Sequence, residues 1–261
     1  MRRLINITIW VLFVIGVLLL LSFTYEKKKE KVCVEVKYSI DMLSGNHFVT
    51  PARLDGILKS IGFKVGQDKF KDIDTKKLER KLLSISSIER VDVFKNMNGT
   101  LEIKVEQRKP IARVFNRNGY SVYLDDNGKT MQVSDFYTAR VLVINGHLNL
   151  KVGENIEAIT HNDSLKGLTL IDELYELAAY IEKDKFLKAQ IEQIYVKRNK
   201  EVILIPKVGN QEIIFGKVED VDAKFKKLIL FYKEGINPTN LNLYKTINLK
   251  FNNQIVCKKN K

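Results

Sequence analysis

The first strong pattern in the chain is an apolar run over residues 4–23, which contains no charged residue. About 20 such residues is the length that a helix needs to cross a bilayer. A cleaved signal peptide would have a shorter apolar core, of roughly 7–15 residues, and a small-x-small cleavage site. The run ends instead in Leu-Ser-Phe-Thr-Tyr, without such a site. The pattern therefore predicts a short stub at residues 1–3, an uncleaved transmembrane helix at 4–24 and a charged juxtamembrane linker at 25–31.

A second pattern, the alternation of apolar and charged residues over residues 88–107, is typical of two half-buried strands. Asn98-Gly99 lies between them and supplies the positive φ angles that a tight hairpin turn needs. Pro110 follows soon after, and a proline has no N–H group to donate to a sheet. We therefore expect one sheet to end and another to begin near Pro110.

The segment before this hairpin predicts one strand and two helices. Residues 32–38 alternate as a strand does. Thr50 and Pro51 are residue types preferred at the N-cap and first position of a helix, and Asp74 is a suitable cap for a second helix. Apolar residues recur at helical spacing after both caps, at Leu54, Ile57, Leu58 and Ile61 and then at Leu78, Leu82 and Leu83. The predicted order over the domain 32–109 is strand, helix, helix, strand, strand.

Strand patterns dominate the next domain, which we place at residues 110–258. Two amphipathic helices are predicted, at residues 164–185 and at 221–233, the second with Asp220 available as its N-cap. Polar residues 151–163 have no clear periodicity and predict a loop. Strands are expected at 140–146, 191–198, 201–207, 211–216, 244–251 and 254–258, after a strand and an Asn-Gly turn at 120–128. The predicted fold class is α+β, with a mostly antiparallel β-domain that carries two helices.

The net charge of the chain indicates which classes of partner it suits. The chain has 44 lysine and arginine residues against 31 aspartate and glutamate residues, a formal charge of +13, and it ends in a basic tail at residues 259–261. A basic balance fits nucleic acid, an anionic membrane or an acidic partner. However, the lysines are spread along the chain and no aromatic-basic motif accompanies them, so we expect no nucleic-acid partner. Basic residues flank the apolar run on both sides and leave its orientation open.

No catalytic or metal-binding pattern is visible. The chain has no nucleophile elbow, phosphate loop or dinucleotide fingerprint. Asp125-Asp126 precedes Asn127-Gly128 and is more simply a turn than a catalytic pair of carboxylates. The three histidines stand singly, without a second ligand at metal spacing: His47, His147 and His161. The sequence therefore predicts a protein that is not an enzyme and uses no metal, cofactor or small-molecule substrate.

The two cysteines, Cys33 and Cys257, lie near opposite ends of the chain. Their spacing fits neither a metal knuckle nor a redox pair. A long-range disulfide is the alternative in an oxidising compartment, but we expect two free thiols.

The order of elements over residues 32–107 resembles that of the POTRA domain, a small β-α-α-β-β unit. Ile-Glu-Arg-Val-Asp-Val at 88–93, the hairpin, and Glu-Gln-Arg-Lys-Pro-Ile-Ala at 106–112 are similar to the FtsQ/DivIB family of cell division proteins. The resemblance implies a single-pass protein of the bacterial cytoplasmic (inner) membrane, with its N-terminus in the cytoplasm and its bulk extracytoplasmic, enriched at the division septum.

In function, the resemblance implies a divisome scaffold that helps regulate septal peptidoglycan synthesis. Its partners would be FtsB/DivIC-type and FtsL-type proteins, with other divisome members as candidates for the POTRA domain. The alternative is a membrane-anchored chaperone or a secretion or assembly component that carries a POTRA domain. Such a protein would be expected to contain several POTRA repeats, whereas this sequence contains one.

The final predicted hairpin is the candidate partner-binding site, because its last strand has no successor in sequence to cover its outer edge. The alternative is that the charges of lysines 258, 259 and 261 protect this edge against strand addition, as charged residues commonly do at such an edge. The resemblance implies that a partner segment adds there as an extra strand. It also implies that Phe251 is an aromatic anchor and that Lys250, with Arg198, meets acidic residues. The candidate residues are Arg198, Asn248, Leu249, Lys250, Phe251, Gln254, Ile255, Val256 and Cys257.

Overall fold

The computed structural model describes residues 9–19, 31–42, 45–148, 170–235 and 242–260. The chain divides into two units, Met1–Gln107 and Arg108–Lys261. Each unit has its own sheet, and each is described by itself below.

Residues 9–19 form helix α1, whose large apolar side chains are exposed. Within the part of the chain that the structure describes, no helix combines the length and apolar content that crossing a bilayer requires. The rest of the predicted span, residues 4–8 and 20–24, and the linker up to residue 30 lie outside the described residues.

The first unit follows the predicted order of elements. They are β1 (Glu35–Ile40), α2 (Pro51–Ser60), α3 (Thr75–Leu83), β2 (Ile88–Lys95) and β3 (Thr100–Gln107). The three strands form one sheet in the order β1-β3-β2, with β1 parallel and β2 antiparallel to β3. Its largest fully buried side chains come from the helices, from the hairpin strands and from the segment before α2: Phe48, Leu54, Leu82, Ile88, Leu101 and Ile103.

Both predicted helix caps of this unit are confirmed. The Thr50 hydroxyl accepts a hydrogen bond from the N–H of Arg53, and Pro51 occupies the first turn. The Asp74 carboxylate accepts one from the N–H of Lys77 at 3.0 Å. These side chains satisfy N–H groups that the first turn of a helix leaves without an intrahelical partner.

The first strand begins later than its alternation predicts, at Glu35 rather than at Val32. The residues before it pair with a different segment, since Val32 forms an isolated bridge with Lys69 and the N–H of Cys33 bonds to the Asp68 carbonyl. Only from Val34, whose N–H bonds to the Gly99 carbonyl at 2.9 Å, does the chain reach β3.

The hairpin between β2 and β3 has a different turn from the one expected. Gly99 has a φ of +94°, but Asn98 does not have a positive φ, so the expectation that both residues supply one is wrong. The N–H of Gly99 bonds to the Asn96 carbonyl, and the N–H of Asn96 bonds to the Thr100 carbonyl. This is a three-residue loop, which needs one left-handed residue where a two-residue type I′ turn needs two.

The second unit contains a nine-stranded sheet. Its strands are β4 (Pro110–Phe115), β5 (Ser121–Asp125), β6 (Thr130–Gln132), β7 (Leu142–Gly146), β8 (Ile191–Val196), β9 (Val202–Pro206), β10 (Glu212–Gly216), β11 (Tyr244–Asn248) and β12 (Val256–Lys259). The spatial order is β12-β11-β10-β9-β8-β7-β4-β5-β6. The pairs β4–β7, β7–β8 and β10–β11 are parallel and the other five are antiparallel, so the sheet is mixed.

The helices of this unit are α4 (Leu170–Lys183), α5 (Lys185–Gln190) and α6 (Val221–Leu230), the last continued by a π-turn at Phe231–Gly235. The predicted loop at 151–163 and the start of the helix predicted at 164–185 lie outside the described residues. That helix ends at Lys183, because Asp184 caps the short α5, which the sequence did not predict.

Asp220 occupies the predicted N-cap position of α6, but its side chain does not cap the helix. Asp220 has a left-handed backbone, with φ at +51°, and its side chain makes no cap hydrogen bond. An N-cap residue ordinarily has an extended backbone, which directs its side chain towards the N–H groups of the first turn.

The core of the second unit lies where α4 and α6 pack on one face of the sheet. Along most strands the members of this core lie at every second position, because alternate side chains point to the same face of a sheet. They include Leu174, Leu177 and Ile181 of α4, Phe225 and Leu228 of α6, and Val114, Ile144, Ile194, Leu204, Phe215 and Ile247 of the sheet.

Asp125 holds the predicted turn at the end of β5 and is fully buried. Its carboxylate accepts hydrogen bonds from the N–H groups of Asn127 and Lys129 and pairs with the Arg108 guanidinium at 2.8 Å. A buried carboxylate needs such partners, because an unpaired buried charge is strongly destabilising. The role of Asp125 is therefore structural.

We expect Gly99→Val to destabilise the first unit by about 1–3 kcal/mol, because a β-branched residue is strained at positive φ. A Cβ atom at this position would also lie 3.1 Å from Cγ2 of Val34. The measurement is chemical denaturation of the full chain in detergent micelles. Gly56→Ala is the matched control: Gly56 lies inside α2 with open space around it, so this variant should be stabilised by roughly 0.5–1 kcal/mol. Equal stability of Gly99→Val and the unchanged chain would contradict the prediction.

Candidate partner-binding edge

The last two strands form a hairpin at one edge of the nine-stranded sheet. β11 pairs in parallel with β10, and β12 returns antiparallel to β11. No further strand pairs with the outer side of β12 among the residues that the structure describes. The N–H and C=O groups on that side are the ones that an additional strand would use.

The side chains of the hairpin alternate between the core and the solvent. Ile247 and Leu249 are fully buried in the core, and Ile255 and Cys257 pack against it with partial burial. Val256, between the last two, is 44% exposed. This alternation explains why residues 255–257 are more apolar than a solvent-exposed strand would be. It also means that the Leu249 side chain, expected at the partner site, belongs to the core.

Phe251 lies in the turn of the hairpin, because β11 ends at Asn248 rather than at the predicted residue 251. Its side chain is 45% exposed. Lys227 of α6 fixes the backbone of this turn: its ammonium group donates to the carbonyls of Leu249 at 3.3 Å and Phe251 at 2.6 Å. An aromatic side chain is therefore held at the surface by a tether to a helix.

A groove lies between this turn and the end of α6. Its volume is about 410 Å³, and its lining residues are Lys227, Leu230, Phe231, Glu234, Gly235, Asn253, Gln254 and Ile255. Leu230 is 55% exposed. On the far side of the groove, the rings of Phe231 and Tyr244 meet edge to face, with their centroids 6.1 Å apart. Gln254, one of the predicted site residues, thus borders an apolar groove next to β12.

Lys250 has a partner within the second unit. Its ammonium group pairs with the Glu201 carboxylate at 2.6 Å, and this bond, with one from Asn199, lowers the pKa of Glu201. The stem of Lys250 crosses Gly216, where a Cβ atom would lie 2.8 Å from Cγ of Lys250. The charge expected to meet an acidic partner is therefore already compensated by Glu201.

Arg198 lies elsewhere, on the turn after β8. It lines a cleft of about 510 Å³, which contains none of the hairpin residues. The other lining residues are Asn116, Arg117, Asn118, His147 and Leu148. Of the nine predicted site residues, eight therefore lie in the hairpin. Arg198 lies outside it, in the turn between β8 and β9, whose Glu201 binds Lys250 of the hairpin.

Both cysteines are free thiols, Cys33 fully buried and Cys257 half-buried, and burial raises the pKa of each. Among the described residues, no group of three or more His, Cys, Asp and Glu side chains is placed to hold a metal ion. His161 lies outside the described residues.

The sequence patterns did not single out Lys227, Leu230 or Phe231. Of these three, Leu230 alone could have been recognised from the sequence, because it is an apolar residue outside the buried stripe of α6 (Val221, Phe225 and Leu228). The contacts of Lys227 and Phe231 join residues 13–24 positions apart, and periodicity within one helix does not report on them.

Comparison with known families accounts for most of the chain. The family model described as FtsQ/DivIB, C-terminal related, matches residues 109–258. The model of the POTRA-like domain matches residues 31–106. A search of curated proteins finds no match. The resemblance found in residues 88–112 is thereby confirmed.

We expect Lys227→Met to loosen the hairpin turn, since methionine keeps most of the apolar stem but removes the ammonium group that binds two carbonyls. The turn should lose roughly 1 kcal/mol of stability, which corresponds to about fivefold faster hydrogen exchange in residues 249–258. Lys226→Met is the matched control, because Lys226 pairs with Asp222 on the exposed face of the same helix. Equal exchange in the two variants would show that the tether does not hold the turn.

Proposed function

Because the chain belongs to the FtsQ/DivIB C-terminal related family and carries a POTRA-like domain before the matched region, we propose that it acts as a scaffold of the divisome. In this role its outer domains bind FtsB/DivIC-type and FtsL-type proteins and help to regulate septal peptidoglycan synthesis. The domain content is that of a cell division protein. The observation that carries the proposed scaffold role is the outer edge of β12 in the family-matched unit, with which no strand of the described residues pairs.

Three features beside that edge support strand addition as the binding mode. The outer backbone groups of β12 supply the hydrogen bonds of an added strand. Phe251 supplies an exposed aromatic side chain at the adjacent turn, and the groove beside Gln254 and Ile255 accepts apolar side chains of a partner. Exposed Lys258 and Lys259 on β12 favour an acidic partner.

The proposal includes a membrane anchor at residues 4–24, with the N-terminus in the cytoplasm. Its support is the uncharged apolar run of the sequence, of which residues 9–19 are helical with exposed apolar side chains. Lysines follow the run as well as precede it, but long domains translocate largely regardless of flanking charge. In this arrangement the two sheets lie outside the cytoplasm.

A second candidate function is that of a POTRA-bearing chaperone or assembly component. The match of residues 31–106 to the POTRA-like model favours it, since that match by itself is not specific to cell division. The two functions differ in where the protein acts: a divisome scaffold acts at the septum, whereas an assembly component has no reason to concentrate there.

We expect a fluorescent protein fused before Met1 to form a band at midcell in dividing cells. A fusion that lacks residues 2–25 should lose the band, because it lacks the proposed anchor. Uniform fluorescence around the cell envelope from the complete fusion, in cells whose division it supports, would favour the assembly function.

We expect Phe251→Ala to weaken binding of an FtsB/DivIC-type partner from the same bacterium by roughly 2 kcal/mol, about 30-fold, because aromatic anchors dominate such interfaces. Phe136→Ala is the matched control: Phe136 is 85% exposed but lies in the loop after β6, away from the hairpin. Dissociation constants from the two full-length variants test this. Full binding by both Phe251→Ala and a chain without residues 254–261, each with an unchanged circular dichroism spectrum, would exclude the hairpin.

A further inference from the structure

The sheet of the first unit has two edges, one at β1 and one at β2, because β3 lies between them. The two edges differ in what occupies their outward backbone groups. Neither edge is part of the partner site proposed above.

The β2 edge is occupied by side chains of its own unit. The N–H of Val93 points away from β3 and donates to the Glu79 carboxylate of α3 at 3.0 Å. The ammonium group of Lys95, the last residue of β2, binds the Phe70 carbonyl. A strand added to β2 would have to displace the Glu79 carboxylate from the middle of the edge, because an antiparallel ladder uses that N–H group.

Among the described residues, the β1 edge is covered only at its beginning. The segment at residues 66–70 pairs with residues 31–33 through the bonds Phe70 N–H to Lys31 O, Cys33 N–H to Asp68 O and Gly66 N–H to Cys33 O. It stops at Gly66, where a φ of +81° turns the chain away. From Glu35 onward, no described segment pairs with the outer side of β1.

The direction of the β1 backbone groups follows from the pairing with β3. The N–H of Asp41 bonds to the Val105 carbonyl, so the N–H groups at odd positions of β1 point towards β3. Because neighbouring residues of a strand direct their backbone groups to opposite sides, the N–H groups of Val36, Tyr38 and Ile40 point outward. Three donors are thus available in a row.

The side chains of β1 are less buried than those of the central strand β3. On β3, the helix-facing residues Leu101 and Ile103 are fully buried. On β1, the residues paired with β3 on that face are only half-buried: Val36, Tyr38 and Ile40. Their exposed flank is the apolar surface that an adjacent strand would cover.

We propose that β1 is the strand-accepting edge of the first unit and that Glu79 closes the β2 edge. The partner is an extended peptide segment of another protein. Its side chains alternate, with apolar ones beside Val36, Tyr38 and Ile40 and polar ones beside Glu35 and Lys37 on the helix-free face. This second binding edge is independent of the function proposed for β12.

A peptide with the sequence of β3, TLEIKVEQ, is a suitable probe, because β3 pairs with both β1 and β2 in the folded unit. The peptide carries a benzophenone cross-linker and is irradiated with the full chain in detergent micelles. The cross-linked residues are then located by mass spectrometry. A scrambled peptide with the same composition controls for non-specific labelling.

We expect cross-links within residues 35–40 and none within 88–95 in the unchanged chain. Glu79→Ala should add cross-links within 88–95, whereas Glu79→Gln, which keeps an acceptor oxygen, should not. Cross-links on β2 of the unchanged chain, or none on β1 in any variant, would overturn the proposal.

Hydrogen exchange separates opening of the edge from loss of the fold. The Val93 amide should exchange about fivefold faster in Glu79→Ala, which corresponds to the loss of one hydrogen bond. The amides of Leu101 and Ile103 in the central strand should be unchanged. Equal exchange of Val93 in the unchanged chain and in Glu79→Ala would show that Glu79 does not guard the edge.

Discussion

Burial of one face of the nine-stranded sheet under α4 and α6 is the constraint on which the second unit depends. It fixes the register of the strands that contribute to this core, because a shift by one residue would turn the apolar set of such a strand to the solvent. At the final hairpin, it places Ile247 and Leu249 inside and Val256 outside. Every second side chain of the hairpin therefore packs in or against the core, and only the remaining side chains are exposed to a partner. Beside these residues, the edge of β12 has no pairing strand in the described part of the chain, and the ring of Phe251 is exposed.

The edges of the two sheets have related features. In each sheet, neither end strand has a second pairing strand among the described residues, and we assign one of the two to a partner, β12 in the large sheet and β1 in the small one. Side chains of neighbouring helices act close to these edges. Lys227 of α6 binds carbonyls in the turn that leads to β12, whereas Glu79 of α3 occupies an N–H group of β2. The same kind of charged hydrogen bond to the backbone thus supports one edge and closes another.

Local chemistry made much of this fold predictable. The caps at Thr50 and Asp74 and the turn at Asp125 depend on neighbours a few residues away, and the order of elements in the first unit follows from periodicity. The errors arose where distant residues decide. Val32 alternates like a strand residue, yet it pairs with Lys69. The apolar period does not distinguish parallel from antiparallel neighbours, so the pairing of β10 with β11 was not visible in it. At the candidate site, Lys250 looked like a free charge because its partner, Glu201, is 49 residues away.

The shortness of β12 limits how firmly any strand can be held there. It has four residues, and every second residue of an antiparallel edge strand directs its backbone groups outward, so an added segment gains about four hydrogen bonds. At a net value of about 1 kcal/mol each, these bonds correspond to a dissociation constant of only about 1 mM. The lifetime of such a complex is therefore set by side chains rather than by the backbone. An assembly joined through this edge can exchange its members while each of them stays folded.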